Sequence, residues 1–217
     1  MTPHRVLIAD DHELVRRAVR QLIESEPGLE VCGEAANGRE AVRQTAGLQP
    51  DLVVLDIGMP ELNGLEAIRQ IKHEQPRTEV LVLTLHESEQ LVHDVLAAGA
   101  RGFVLKSDAA DRLLAAARAL LGGDAYLTPR VETMVLAGYL GHERRGTASP
   151  APAALTARER EIVQMLAEGH SNKQVAATLC VSQKTVETHR ANIMRKLDLH
   201  SLAELVHYAI RNGIVVA

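Results

Sequence analysis

Apolar runs and helical periodicities alternate along the first half of the chain. The runs are Arg5 to Ala9, Leu29 to Ala35, Asp51 to Asp56, Val80 to Thr84 and Gly102 to Lys106. The third, Leu52-Val53-Val54-Leu55, is apolar without alternation, as a strand covered on both faces is. Gly58-Met59-Pro60 breaks it at once. Between the runs, apolar residues recur at helical spacing. Leu14, Val15, Ala18, Leu22 and Ile23 mark a helix over Glu13 to Ser25, ended by Pro27-Gly28. Asn37-Gly38 opens a second around Ala41-Val42. Leu65, Ile68 and Ile71 mark a third over Gly64 to Glu74, and two more cover Gln90 to Ala98 and Ala109 to Leu121. Strands alternating with helices over about 120 residues predict a doubly wound, five-stranded parallel sheet. Right-handed crossovers bring the carboxyl ends of the strands to a common edge.

The pattern changes after Gly122-Gly123-Asp124. Thr128-Pro129 reads as an N-cap with Pro at the first helical position, opening a helix through Leu140. Gly, Ala, Ser and Pro then dominate from Gly141 to Ala154, which reads as a flexible tether. The Arg144-Arg145 pair within it reads as solvated linker charge. From Leu155 short helices follow closely. Thr156-Ala157-Arg158-Glu159, Ser171-Asn172-Lys173-Gln174 and Ser201-Leu202-Ala203-Glu204 are three capping-box patterns, and Ser182 caps a longer helix to about Leu197. This order predicts a helix-turn-helix with flanking supports. The expected organisation is a first domain over 1–123, a linker over 124–154 with its helix Pro129 to Leu140, and a small all-α domain over 155–217.

Composition adds two constraints. Aromatics are 2% of the 217 residues, so Leu, Val, Ile and Ala must build the cores. Charge is unevenly divided: residues 1–125 carry 13 Lys/Arg against 20 Asp/Glu, and residues 155–217 carry 8 against 6. An acidic front and a mildly basic back imply different partners for the two domains. No apolar run approaches the roughly 20 residues of a membrane span. The N-terminal residues lack a signal-peptide pattern, and a cytoplasmic location is expected. Cys32 and Cys180 read as small buried hydrophobes, not as a disulfide. The ten histidines lack zinc-ligand spacing.

The strand ends carry the chemistry. Asp10 and Asp11 end the first strand, Asp56 the third, Thr84 the fourth and Lys106 the fifth. An aspartate ending a strand often does no more than cap the next helix. Three carboxylates in one crevice repel, however, and a hard divalent cation would let them coexist. The expected Mg²⁺ shell comprises Asp11, Asp56 and the Gly58 carbonyl directly, with Asp10 mostly through water. Lys106 offers a point charge for a phosphate oxygen, and Thr84 a hydroxyl to follow it.

These residues resemble the receiver domain of two-component response regulators through the whole of residues 5–121. The likeness rests on Asp10-Asp11, the Asp56-Ile57-Gly58-Met59-Pro60 run with Gly64 beyond it, Thr84 and Lys106. Phe103 stands at the family's aromatic switch position. The resemblance implies a flavodoxin-like fold in which Asp56 takes a phosphoryl group from a sensor histidine kinase with Mg²⁺ required. Thr84 would then move toward the phosphoryl and Phe103 turn into the space it leaves. Gly58 and Leu85 depart from common receiver choices. A backbone carbonyl survives the first change, while Leu85 is expected to narrow access to the acylphosphate.

In the second domain, the helix Gln183 to Leu197 is the one expected in a DNA major groove. Val186, Ile193, Met194 and Leu197 face inward, and Lys184, Arg190, Arg195 and Lys196 stand against one acid, Glu187. Candidate base contacts are Lys184, Thr185, Glu187, Thr188, Arg190 and Ala191, with Lys173 and Lys196 on phosphates. For any one Lys or Arg, a solvated surface role is the plainer reading. The runs Leu155-Thr156-Ala157-Arg158-Glu159, Ala167 to Lys173, Lys184 to Arg190 and Asn192 to Leu197 resemble the LuxR-type DNA-binding domain. The two resemblances together imply a NarL/FixJ-type regulator: a transcription factor that dimerises on phosphorylation and reads a near-palindromic double-stranded operator. RNA polymerase is a further expected partner, and no catalytic turnover beyond slow autodephosphorylation is expected. Two alternatives stay open: a constitutive DNA binder whose receiver is only a scaffold, and a phosphohydrolase of the haloacid dehalogenase type. The latter expects a second acid where this chain has Gly58.

Overall fold

The computed structural model describes residues 2–85, 88–142 (from 136 on by backbone alone) and 155–215. Most of the expected tether, including Arg144-Arg145, lies outside the described residues. Those described form two compact units, one built on residues 2–59 and 64–142 and the other on 155–215. No helix among them is long and apolar enough to cross a membrane.

The first unit alternates strand and helix. In order it holds β1 (His4–Ala9), α1 (Glu13–Glu24), β2 (Leu29–Ala35), α2 (Gly38–Leu48), β3 (Leu52–Leu55), α3 (Gly64–Glu74), β4 (Glu79–Thr84), α4 (Glu89–Ala97), β5 (Gly102–Leu105), α5 (Ala109–Leu121), β6 (Tyr126–Leu127) and α6 (Pro129–His142). The strands pair in parallel in the order β2-β1-β3-β4-β5-β6. Val6, Ile8, Val54, Leu81, Leu83 and Val104 form one core with Val19 and Ile23 of α1 and Leu113, Ala117 and Leu120 of α5. Their neighbours Leu7, Val53, Leu55, Val82 and Phe103 are equally buried. Both faces of the sheet are therefore covered, which is why the runs do not alternate. Each such Leu, Ile or Val contributes roughly 1.5–3 kcal/mol by leaving water.

Helix starts follow the local sequence. The Asn37 side chain accepts from the Glu40 N–H at the start of α2, and Ser88 accepts from Leu91 N–H at the start of α4. The inward face of α1 differs from expectation. Leu14 and Ala18 are exposed, while Val15, Val19, Leu22 and Ile23 meet the core. Positions 15, 19, 22 and 23 share one stripe, and Leu14 sits one residue, about 100°, off it.

A sixth strand joins the expected five. Tyr126 and Leu127 pair with Gly102 and Phe103, and the Tyr126 N–H donates to the Arg101 carbonyl. Two residues carry no alternation to read, so the sequence pattern was silent there. Helix α6 follows with Pro129 first, as expected, and packs on α4 with Val131 buried. The Thr128 carbonyl accepts from Glu132 N–H, but the Thr128 hydroxyl is buried without a partner, so its side chain does not cap the helix.

The second unit holds α7 (Ala157–Ala167), α8 (Asn172–Thr178), α9 (Gln183–Lys196) and α10 (Leu202–Arg211). Its core joins Ile162, Val163, Met165, Val175, Val186, Ile193, Leu205 and Ala209 from all four helices. The capping boxes at Thr156/Glu159 and Ser171/Gln174 form in full, and Ser182 accepts from Thr185 N–H. At Ser201 the hydroxyl caps Glu204 N–H, but the Glu204 carboxylate takes the His200 N–H, one residue earlier than a reciprocal box requires. Cys180 turns the chain between α8 and α9 with φ +52° and is exposed, while Cys32 is half-buried. Both thiols are free, and neither is the fully buried residue expected.

Glu159 ties α7 to α9 by accepting from Lys196 Nζ at 2.8 Å. That bond first, then the Thr156 N–H, holds its carboxyl below the usual carboxylate value of 4.5. A depressed carboxylate stabilises the fold above its unfolded value and loses that contribution as pH falls through the folded one. Acid titration below pH 4.5 should therefore release the α7 amides to hydrogen exchange early. Glu159→Gln keeps the capping-box acceptor and loses the charge of the Lys196 pair, so it should cost about 0.2–1 kcal/mol at neutral pH and flatten that acid dependence.

Candidate functional site

The ends of β1, β3, β4 and β5 meet at one edge because the strands run in register. Ala9 pairs with Leu55, Leu55 with Val82, and Thr84 with Leu105. Asp10, Asp56 and Lys106 are each the next residue out. Asp56 N–H donates to the Ala9 carbonyl at 2.8 Å, and Asp10 N–H to the Ala35 carbonyl at 3.1 Å. Lys106 Nζ then bridges the two acids, 2.7 Å from Asp10 Oδ2 and 2.8 Å from Asp56 Oδ2. The three side chains are only 9%, 4% and 7% exposed. The other oxygens are held as well: Asp56 Oδ1 accepts from Ile57 N–H at 2.7 Å, and Asp10 Oδ1 from His12 N–H at 2.9 Å. Asp11 is more open, with Oδ1 lying 2.8 Å from His12 Nδ1.

Burial alone would lower the Lys106 ammonium, but its bonds to Asp10 and Asp56 outweigh that and hold it above the usual 10.5. Lys106 thus supplies one positive charge shared by Asp10 and Asp56, and the three carboxylates of this edge still outnumber it. Asp11 is left facing solvent, and Asp10, Asp11 and His12 offer donor atoms within 4.8 Å of one another. A set dominated by carboxylate oxygens suits a hard divalent cation. Gly58, the expected carbonyl donor, is half-exposed two residues beyond Asp56.

Gly64 sets the floor of the crevice. Its N–H donates to the Ile57 carbonyl at 2.9 Å, and a Cβ there would lie 2.1 Å from the Asp56 carbonyl oxygen. Only a residue without a side chain lets α3 begin against the Asp56 loop.

In the second unit, α9 buries Val186 and Ile193 and packs Met194 and Leu197 against the core. Lys184, Thr185, Thr188, Ala191, Asn192 and Arg195 are exposed, and Glu187 and Arg190 are half-exposed. The Thr188 hydroxyl donates to the Lys184 carbonyl at 2.9 Å, which leaves its methyl for apolar contact. Glu187 accepts from Gln183 at 3.1 Å, and Arg195 donates to Asn192 Oδ1 at 3.0 Å. Lys173 is exposed in the first turn of α8.

Comparison with known proteins agrees with both halves. Residues 6–118 match the response regulator receiver domain, and residues 153–209 match the bacterial regulatory proteins of the luxR family. The chain is a two-component response regulator with a LuxR-type DNA-binding domain. Among its relatives, the oxygen regulatory protein NreC of Staphylococcus carnosus is 36% identical over 215 residues, covering 97% of this chain and 99% of that one. A LuxR-family two-component response regulator from Aurantimonas sp. SI85-9A1 superposes with a TM-score of 0.61 at 33% identity, covering 64% of this chain and 99% of the other. A structure of two RcsB dimers bound to two parallel DNAs gives 0.60 at 26% identity, over 97% and 99% of the chains.

The regulator brings Asp10, Asp56 and Lys106 together as its sequence implied, with Asp11 at the rim. Thr84 and Phe103 are both fully buried. Phe103 is paired in its strand with Val82 on one side and Leu127 on the other. Leu85, one residue past Thr84, is 68% exposed. Lys196 pairs with Glu159 at 2.8 Å, which braces α9 on α7. Asn192 is exposed on the same helical stripe as positions 184, 188, 191 and 195. Sequence reasoning missed Arg16, whose guanidinium donates to the Asp10 carbonyl at 2.8 Å.

Proposed function

We propose that this regulator is a phosphorylation-switched transcription factor whose phosphoacceptor is Asp56. The observation that carries the reading is the Lys106 bridge between Asp10 and Asp56, buried at the open edge of a parallel sheet beside an unburied Asp11. Asp56 Oδ1 is fixed by the Ile57 N–H, so Oδ2, whose partner is the Lys106 ammonium that can pass to a phosphoryl oxygen, is the oxygen that attacks. The new O–P bond forms as the bond from phosphorus to the donor histidine breaks, and Lys106 follows the phosphoryl oxygens. Mg²⁺ held by Asp11, Asp56 and the Gly58 carbonyl, with Asp10 through water, would offset charge on the transferring group. Thr84, one residue before the exposed Leu85, supplies the hydroxyl that senses the added charge.

The donor is a sensor histidine kinase, and the site performs no turnover on other substrates. Phosphorylated copies dimerise and present two α9 helices to a two-fold operator, with the exposed Lys184, Thr185, Thr188 and Ala191 reaching bases. The solved RcsB complex supports this reading by containing dimers on DNA. The protein works in the cytoplasm, where kinase and operator are both accessible.

The test uses acetyl phosphate, Mg²⁺ and the full chain. Wild type should gain a hydroxylamine-labile phosphoryl group, shift toward dimer in light scattering and bind operator DNA more tightly. Asp56→Asn should do none of these. Equal dimerisation and DNA affinity with and without the donor would leave a constitutive DNA binder.

A further inference from the structure

We infer that Arg16 is a positioning residue for the divalent-cation site, acting through the peptide that joins Asp10 to Asp11. Arg16 lies one turn into α1 with its side chain 15% exposed. Its Nη1 donates to the Asp10 carbonyl at 2.8 Å and its Nε to Glu34 Oε2 at 3.1 Å. Glu34, on β2, is shared: its Oε1 accepts from Arg20 Nε at 2.7 Å. The Glu34 carbonyl in turn accepts from the Gln44 amide of α2.

Asp10 is thus held from every side. Its N–H is on β2, its carboxylate on Lys106 and the His12 N–H, and its carbonyl on Arg16. Asp11 is different. It stands beyond the end of β1, exposed, and its carboxylate's neighbour is the still more exposed His12. Where its side chain points is decided by the orientation of the Asp10–Asp11 peptide plane. The carbonyl oxygen of that plane is the atom Arg16 grips. The guanidinium fork fits this task because one arm anchors on Glu34 while the other holds the carbonyl. A lysine gathers its three donors on one nitrogen and lacks the fixed two-armed fork.

This inference rests on the metal-assisted phosphotransfer proposed above, and it adds what keeps Asp11 in register for the ion. Outer-shell partners of this kind change metal affinity by about 10–100-fold when removed. Full-length chain would be titrated with Mn²⁺, and the free ion read by electron paramagnetic resonance, with Mg²⁺ in competition. Circular dichroism would confirm folding of each variant. Arg16→Met should weaken binding about tenfold, and Arg16→Lys should recover part of the loss. Arg20→Met breaks the other arm of the Glu34 pair without touching Asp10. It should leave Mn²⁺ affinity unchanged even where it lowers stability as much. Wild-type affinity in Arg16→Met, or equal weakening in Arg16→Met and Arg20→Met, would overturn the assignment while leaving phosphotransfer intact. If wild type and Asp11→Asn bind Mn²⁺ alike, the metal reading itself falls, and the role of Arg16 falls with it.

Discussion

Lys106→Met should lower stability in chelator by about 3–5 kcal/mol, the range for removing one partner of a buried ion pair. The substitution preserves length and apolar bulk, so the loss isolates the charge. Asp10 Oδ2 and Asp56 Oδ2 would each lose a cation at under 3 Å from side chains less than a tenth exposed. The variant should then respond to Mg²⁺ more strongly than wild type, because the ion enters a crevice with no competing ammonium. Binding at a hundredfold excess over Kd returns about 2.7 kcal/mol. Urea melts of both proteins with EDTA and with saturating Mg²⁺ read all four states. Matching midpoints for wild type and variant in EDTA would reduce the bridge to an ordinary surface pair.

Gly64→Ala should cost 3 kcal/mol or more, at or above the top of the ordinary range of about 1–3 kcal/mol for overpacking. The added Cβ would meet the Asp56 carbonyl at 2.1 Å and Ile57 Cα at 2.7 Å, and both obstacles are backbone. Relief requires either the Asp56 loop or the start of α3 to move, so acylphosphate formation should fall together with stability. Gly47 in α2 is the control, since a Cβ there meets nothing within 4 Å. Gly47→Ala should stabilise by roughly 0.5–1 kcal/mol on helix propensity and lower backbone entropy in the unfolded chain. A Gly64→Ala protein that melts and takes up phosphoryl like wild type would show that the helix start yields easily.

The legible part of this molecule was its periodic part. Strands buried on both faces announce themselves as continuous apolar runs, and their ends placed Asp10, Asp56 and Lys106 together before any coordinates. The capping residues Thr156, Ser171 and Ser182 were read correctly because a cap is a local bond between near neighbours. What the chain concealed was long-range or non-periodic. Strand β6 is two residues long and exists only through its pairing with Gly102 and Phe103. Leu14 looked like core because composition alone does not fix a helix's rotation. The bridge from Lys106 to Asp10 and Asp56 joins three strand ends, and no local pattern signals that one ammonium would serve both acids. Arg16 and Glu34 lie in separate elements, 18 positions apart, and no spacing rule connects them.

The short sixth strand has a practical consequence for anyone dividing the protein. It occupies the outer flank of β5, so the sheet terminates in two residues instead of in the apolar Gly102–Leu105 ribbon. A fragment trimmed at Gly123 would bare that ribbon's unpaired amides and carbonyls, the kind of template on which chains stick to one another. Cutting after His142 keeps the guard in place.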